Sequence, residues 1–142
     1  MAFIHGKSSK FSIDNSGGSL VDLSAYIEQV SLSRSIETAD VTQFGNNAKQ
    51  YIVGLTDASV SFSGKFDAAG ASTVDVVLAG ILGQSATVSW EYQPNSAVVS
   101  ATNPKYTGEG IVTSYEVSGS VGDTVSYSAQ VQATGAITRA TA

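Results

Sequence analysis

The stretch Asp57-Ala58-Ser59-Val60-Ser61-Phe62-Ser63-Gly64-Lys65-Phe66-Asp67 decides the fold class. Ala58, Val60, Phe62, Gly64 and Phe66 fall on one face of an extended chain. Asp57, Ser59, Ser61, Ser63, Lys65 and Asp67 fall on the other, which is the period of two that a half-buried strand requires. A slip of one residue would expose both phenylalanines, so the register is strongly specified. Working outward, the same alternation runs through Ala86, Val88, Trp90 and Tyr92 until Pro94 and Asn95 end it. Nearer the C-terminus, Ile111, Thr113, Tyr115 and Val117 oppose Val112, Ser114, Glu116 and Ser118. Val125, Tyr127, Ala129, Val131 and Ala133 then oppose Thr124, Ser126, Ser128, Gln130 and Gln132, with residues 119–123 as a hairpin turn. Toward the N-terminus, Phe11 and Ile13 alternate with polar neighbours, and residues 15–19 supply a turn. Asp22 caps a single helical turn, and Val30, Leu32 and Ile36 oppose Gln29, Ser31, Ser33 and Ser35.

One segment carries a helical period. Val74, Val77, Leu78 and Ile81 follow the i, i+3, i+4, i+7 spacing, predicting a helix over about 71–82 with Ser72 as N-cap and Gly83 as its stop. Residues 36–56 fit neither period and read as a long inter-strand loop, although Phe44, Tyr51, Ile52, Val53 and Leu55 are apolar. Together the pieces predict a mainly β fold: an antiparallel β-sandwich or barrel with one flanking α-helix and a long inter-strand loop. Residues 1–142 form one domain in this reading, with an N-terminal arm over about 1–9.

Composition removes several function classes. The 142 residues should fold with an accessible surface of about 6,900 Å². With no cysteine there is no disulfide, thiolate metal site or cysteine nucleophile, and His5, the one histidine, is read as a solvated tail residue. A net charge of −5 has the wrong sign for gripping nucleic acid by its phosphates. Charged residues make up 13% of the chain, while serine and threonine supply about a quarter, so the polar surface is largely neutral. The N-terminal residues lack the apolar core of a secretion signal and no apolar run approaches a membrane span, so the expectation is assembly in a host cytoplasm with no membrane partner. No cofactor and no metal site is expected: Gly108-Glu109-Gly110 has no third glycine, and residues 14–18 lack the glutamate that closes a calcium loop. Asp40, Asp57, Glu91, Glu109 and Glu116 could in principle pair for glycoside chemistry, but their spacing selects no pair. Trp90, Tyr92, Tyr115 and Tyr127 sit on predicted buried faces, leaving little for a sugar-stacking platform. No catalytic residue is therefore expected.

Asp40-Val41-Thr42-Gln43-Phe44-Gly45, followed by Gly54-Leu55-Thr56-Asp57-Ala58-Ser59 and by Gly64-Lys65-Phe66-Asp67, resembles the centre of the tail tube proteins of long-tailed phages. The order of parts matches too, from Leu23-Ser24-Ala25-Tyr26-Ile27 before a strand to a C-terminal hairpin ending at Ala133-Thr134-Gly135. The resemblance covers about 11–139. It implies a structural virion protein that self-assembles into stacked hexameric rings, a hollow tail through which DNA passes without specific binding. It also implies tape-measure, tail-tip and tail-terminator proteins as partners, and a long loop that reaches the next ring. On that reading Asp40, Phe44, Lys49, Tyr51, Ile52 and Leu55 would make subunit and ring contacts. Gln29, Ser31, Ser33, Asp57, Ser59, Ser61, Ser63, Glu116, Ser126, Ser128 and Gln130 would face the lumen. Binary pattern alone does not separate a lumen from an ordinary solvated face. A β-sandwich binding module, such as a capsid decoration or carbohydrate-binding domain, is the alternative from another class.

Overall fold

The six alternating stretches become antiparallel strands, and a short seventh, Leu20–Asp22, joins them. They are β1 (Lys10–Asp14), β2 (Leu20–Asp22), β3 (Gln29–Asp40), β4 (Tyr51–Lys65), β5 (Val88–Gln93), β6 (Lys105–Ser118) and β7 (Ser126–Ala140). The computed structural model describes residues 3–70 and 73–142. All seven strands belong to one antiparallel sheet in the order β2-β1-β5-β6-β7-β4-β3, not closed into a barrel, and with one helix beside it this is the mainly β fold expected. The sheet nevertheless coils until its two halves face each other. Three strands separate β1 from β4, yet the rings of Phe11 and Phe62 meet with centroids 4.7 Å apart. Strand twist and the two register shifts along β6 supply that curvature.

The interior is filled by the residues that alternation singled out. Phe11, Ile13, Val60, Phe62, Trp90, Tyr127 and Val131 are all buried. Helix α1 (Val74–Ile81) adds Val74, Val77, Leu78 and Ile81, each at most 1% exposed. An eight-residue helix is marginal alone, and burial of about 1.5–3 kcal/mol per large aliphatic side chain is what holds it. Thr73 occupies the N-cap position, whereas the expected cap, Ser72, lies outside the described residues. Gly83, at φ +81°, lets the chain reverse after the helix.

Local contacts fix where β3 begins and β4 ends. Gly64 is required by close approach, because a Cβ there would lie 1.9 Å from the Tyr26 carbonyl oxygen. That carbonyl accepts a hydrogen bond from the Tyr127 hydroxyl at 3.0 Å, and the Glu28 N–H donates to the Ser63 carbonyl at 2.8 Å. A 3-10 turn, Ser24–Tyr26, is thus clamped onto the foot of β4, with the Asp22 carboxylate accepting the Ser24 N–H. The segment before β1 is also tied down: the Ser96 N–H donates to Ser8 and the Ser9 hydroxyl to the Pro94 carbonyl.

Two sequence expectations change. Residues 36–56 are mostly strand rather than loop: β3 continues to Asp40, β4 starts at Tyr51, and only residues 41–50 connect them. The alternation was invisible because both faces of this hairpin are exposed, so neither needs to be apolar, and because the register shifts by one between Ile36 and Thr38. On β6, Ile111 and Thr113 point away from the core and Val112 points in. The phase reverts at a bulge, so Tyr115 is again directed inward.

Candidate functional site

The site is a surface assembled from four strands. Adjacent strands β3, β4, β7 and β6 align their polar positions in rows that run straight across the sheet. Gln29 lies opposite Ser63, which lies opposite Ser128, which lies opposite Glu116. The next row is Ser31, Ser61, Gln130 and Ser114, and the one after it Ser33, Ser59 and Gln132. Ser35 and Asp57 pair beyond that, while Lys65, Ser126 and Ser118 form the row at the other end. Residues directly opposite in a ladder share a face. All eleven sequence-selected wall residues therefore lie on one side of one four-stranded wall, roughly 14 Å across. Sequence reading missed Ser35, Ser114, Ser118 and Gln132 as members of this surface. Their period was visible, and only the register shows that they complete rows.

Charge on the wall is sparse. Asp57 accepts a hydrogen bond from Gln132 Nε2 at 2.7 Å, and Glu116 is exposed. Lys65 sits 3.8 Å from Glu28, which offsets the basic group at the wall's foot. Beneath the wall, the Tyr115 hydroxyl donates to Asp75 at 2.8 Å. Burial and then that carboxylate push the Tyr115 phenol well above its ordinary 10.0. Burial does the same for Tyr127. Both remain protonated donors at neutral pH.

The wall has two unpaired margins. β3 is the terminal strand of the sheet, and β6 is paired by β5 only from Tyr106 to Gly110. From Ile111 to Ser118, β6 therefore has β7 on one side and, among the described residues, no backbone partner on the other. Such margins expose rows of N–H and C=O groups that another strand can pair.

Above the wall, β3 and β4 run on as a two-stranded arm. β4 pairs with β7 only up to Ser59, so Tyr51 to Ala58 have β3 as their sole ladder partner. The arm displays Ile36, Tyr51, Ile52, Val53 and Leu55, the last 77% exposed, with Phe44 fully exposed in the connection at its tip. Lys49 is exposed in the same connection. Asp40 closes the arm by accepting the Thr42 N–H at 2.8 Å, and its hydrogen bonds to Thr42 hold the carboxyl below its ordinary 3.8. Arm and open margins together inflate the surface. The chain exposes 8775 Å² against the roughly 6,900 Å² expected at this mass, an excess of about 1,900 Å², more than twice the roughly 800 Å² that a standard interface takes from each partner.

The candidate acids do not converge. Glu91 pairs with Lys105 at 3.2 Å, Glu109 accepts the Ser89 hydroxyl at 2.6 Å, and Asp57, Asp40 and Glu116 lie on wall and arm. Among the described residues no three His, Asp or Glu side chains form a metal-holding group. No helix among them is long and apolar enough to cross a membrane. Trp90 and Tyr127 are buried, and Tyr92 and Tyr115 are half-buried.

A family model described as phage tail tube protein matches residues 5–139. The chain belongs to the phage tail tube protein family. It is accordingly a structural protein of the phage tail, located in the virion. Solved tail structures share its fold. The virion of a native gene transfer agent particle contains a chain that superposes with a TM-score of 0.78 at 20% identity, covering 97% of this chain and 99% of that one. A chain from the tail of an empty gene transfer agent particle, refined with C6 symmetry, gives 0.77 at 20% identity over the same shares. The SPP1 tail tube gives 0.77 at 13% identity, covering 96% of this chain and 78% of that one. Comparison with curated protein sequences finds no match.

Proposed function

We propose that six copies of this tail tube protein join margin to margin, β3 of one against β6 of the next, into a ring whose bore is lined by the polar wall. The observation that carries this reading is that one serine-rich face is flanked on both sides by unpaired strand margins. The order β6-β7-β4-β3 alternates direction, so the added junction is antiparallel like every other. The sixfold symmetry of the gene transfer agent tail supplies the copy number. Four strands from each of six copies give twenty-four; at about 4.8 Å per strand and a tilt of about 35–45° the backbones stand roughly 45–50 Å apart. That bore is wider than a sixteen-stranded porin, which already leaves an aqueous channel.

A wall of Ser, Gln, Asp57 and Glu116, whose Lys65 is offset by Glu28, offers DNA phosphates little cationic grip, so a duplex slides rather than binds. The arm supports stacking of ring on ring, with Asp40, Phe44, Lys49, Tyr51, Ile52 and Leu55 buried against the neighbouring ring. Tape-measure, tail-tip and tail-terminator proteins are the further partners on this reading. Because the chain has no cysteine, introduced pairs report without background. Single chains carrying Ser33→Cys together with a cysteine at Ile111, Ser114 or Glu116 should, in one register, oxidise to a ladder that stops at a closed hexamer. Cross-linking in none of the three registers, with tubes present, would overturn the β3–β6 junction.

A further inference from the structure

The free margin of β6 is not a continuous strand. Val112 pairs with Val131 and Ser114 with Gln130, so Thr113 is one extra residue on β6 with no counterpart on β7. Its hydroxyl donates to the Gln130 carbonyl at 3.2 Å, which fastens the bulge to the neighbouring strand. If Thr113 is skipped, the alternation is unbroken: Gly110, Val112, Tyr115 and Val117 lie on one face, and Ile111, Ser114, Glu116 and Ser118 on the other. Every pairing of β6 with β7 and with β5 is already the one a strand without Thr113 would make. Thr113 thus adds to the bend of β6 without being needed for any of its pairings.

Its position suggests another use. Thr113 lies within residues 111–118, the part of β6 that has no second ladder partner. A bulge bends an edge strand, sharpens its twist and interrupts the row of groups that an incoming strand must pair. The opposite margin differs. At the single register shift between β3 and β4, the extra residue falls on β4, where Gly54 and Leu55 face Glu37, so β3 itself runs twelve residues without a bulge or proline. Of the two margins that meet in a ring, one is receptive and the other is interrupted part-way along.

We propose that the Thr113 bulge is an assembly gate. It keeps the β6 margin of a free subunit from pairing with the β3 margin of a second copy, and it is pressed out when a growing ring presents that margin in register. The inference rests on the tail tube reading above, and its partner is a second copy of this chain.

Three chains test it: wild type, a deletion of Thr113, and Thr113→Val, which keeps the bulge but loses the hydroxyl. Polymerisation is followed by light scattering across a concentration series, tube formation by negative-stain microscopy, and folding by thermal melting. The deletion is expected to fold and to form hollow tubes at a several-fold lower threshold concentration, with Thr113→Val in between. A folded deletion chain with the wild-type threshold overturns the gate, as does one that makes no tubes where wild type does. Should the deletion not fold, Thr113→Val decides: a lowered threshold supports the gate and an unchanged one overturns it. Tubes at one common threshold sink the gate alone, whereas no tubes from any chain, even at the highest concentration, overturn the tail tube reading and the gate with it.

Discussion

Strand β4 is one ladder of fifteen residues with two different fates. From Ala58 to Gly64 its inward side chains are sealed, with Val60 fully buried and Phe62 at 2% exposure. From Tyr51 to Leu55 residues of the same apolar type stand in water, Val53 at 71% and Leu55 at 77%. Hydrophobic burial is roughly proportional to area removed from water, so the first group stabilises the subunit and the second contributes almost nothing to it. A monomer that leaves such a patch uncovered is built for association. The difference between the halves is what lies beside them: β7 accompanies β4 up to Ser59 and then follows β6 away.

The comparison breaks most visibly at Phe62. Phe62→Ala should cost about 3–5 kcal/mol, read as a large fall in the denaturation midpoint, because the ring contacts Phe11 and Tyr127 and leaves a cavity behind. Leu55→Asp, on the same strand but in its exposed half, should change subunit stability by no more than about 0.5 kcal/mol. Its effect should appear in tube formation, which a charge in a desolvated ring contact would abolish. Phe44→Asp at the arm's tip should behave alike.

A smaller effect sharpens the body half. The Tyr127 phenol, raised by burial, stays protonated in the folded chain when an unfolded chain would release its proton at its ordinary 10.0. Stability is then complete below pH 10 and falls as pH rises beyond it, because the unfolded state gives up protons that the folded state retains. Tyr127→Phe should cost about 1 kcal/mol at neutral pH through the lost bond to Tyr26, and alkaline melts should show a shallower decline. Smallest for folding is Glu116→Lys on the exposed wall. Melting and tube formation should match wild type, while DNA ejection from particles carrying it should slow as phosphates find a cation. Ejection at the wild-type rate would remove Glu116 from the bore.

The body was legible in the sequence because one buried face forces alternation. Ala58, Val60, Phe62, Trp90, Tyr127 and Val131 could be assigned to the core from period alone, and the spacing of Val74, Val77, Leu78 and Ile81 gave the helix face. The arm was not, since a two-stranded ribbon exposed on both faces has no preferred pattern, and the register shift at Gly54 and Leu55 scrambled what remained. Ile111 was assigned to the wrong face for a related reason: Thr113 inserts one position into an otherwise regular strand, so the phase read from Tyr115 backwards is off by one. Wall membership was half legible. Each serine's facing could be read along its own strand, but the rows joining Gln29 to Glu116 exist only through long-range pairing, as do the unpaired margins of β3 and β6.

The most direct measurement of the central claim is a cryo-electron microscopy map of tubes polymerised from the purified protein, at a resolution that separates strands. The predicted map shows a sixfold hollow tube with β3 of each copy beside β6 of the next and the Ser31, Ser61 and Gln130 row facing the bore. A tube whose bore is lined by any other face, or whose subunits meet without joining β3 to β6, would contradict it.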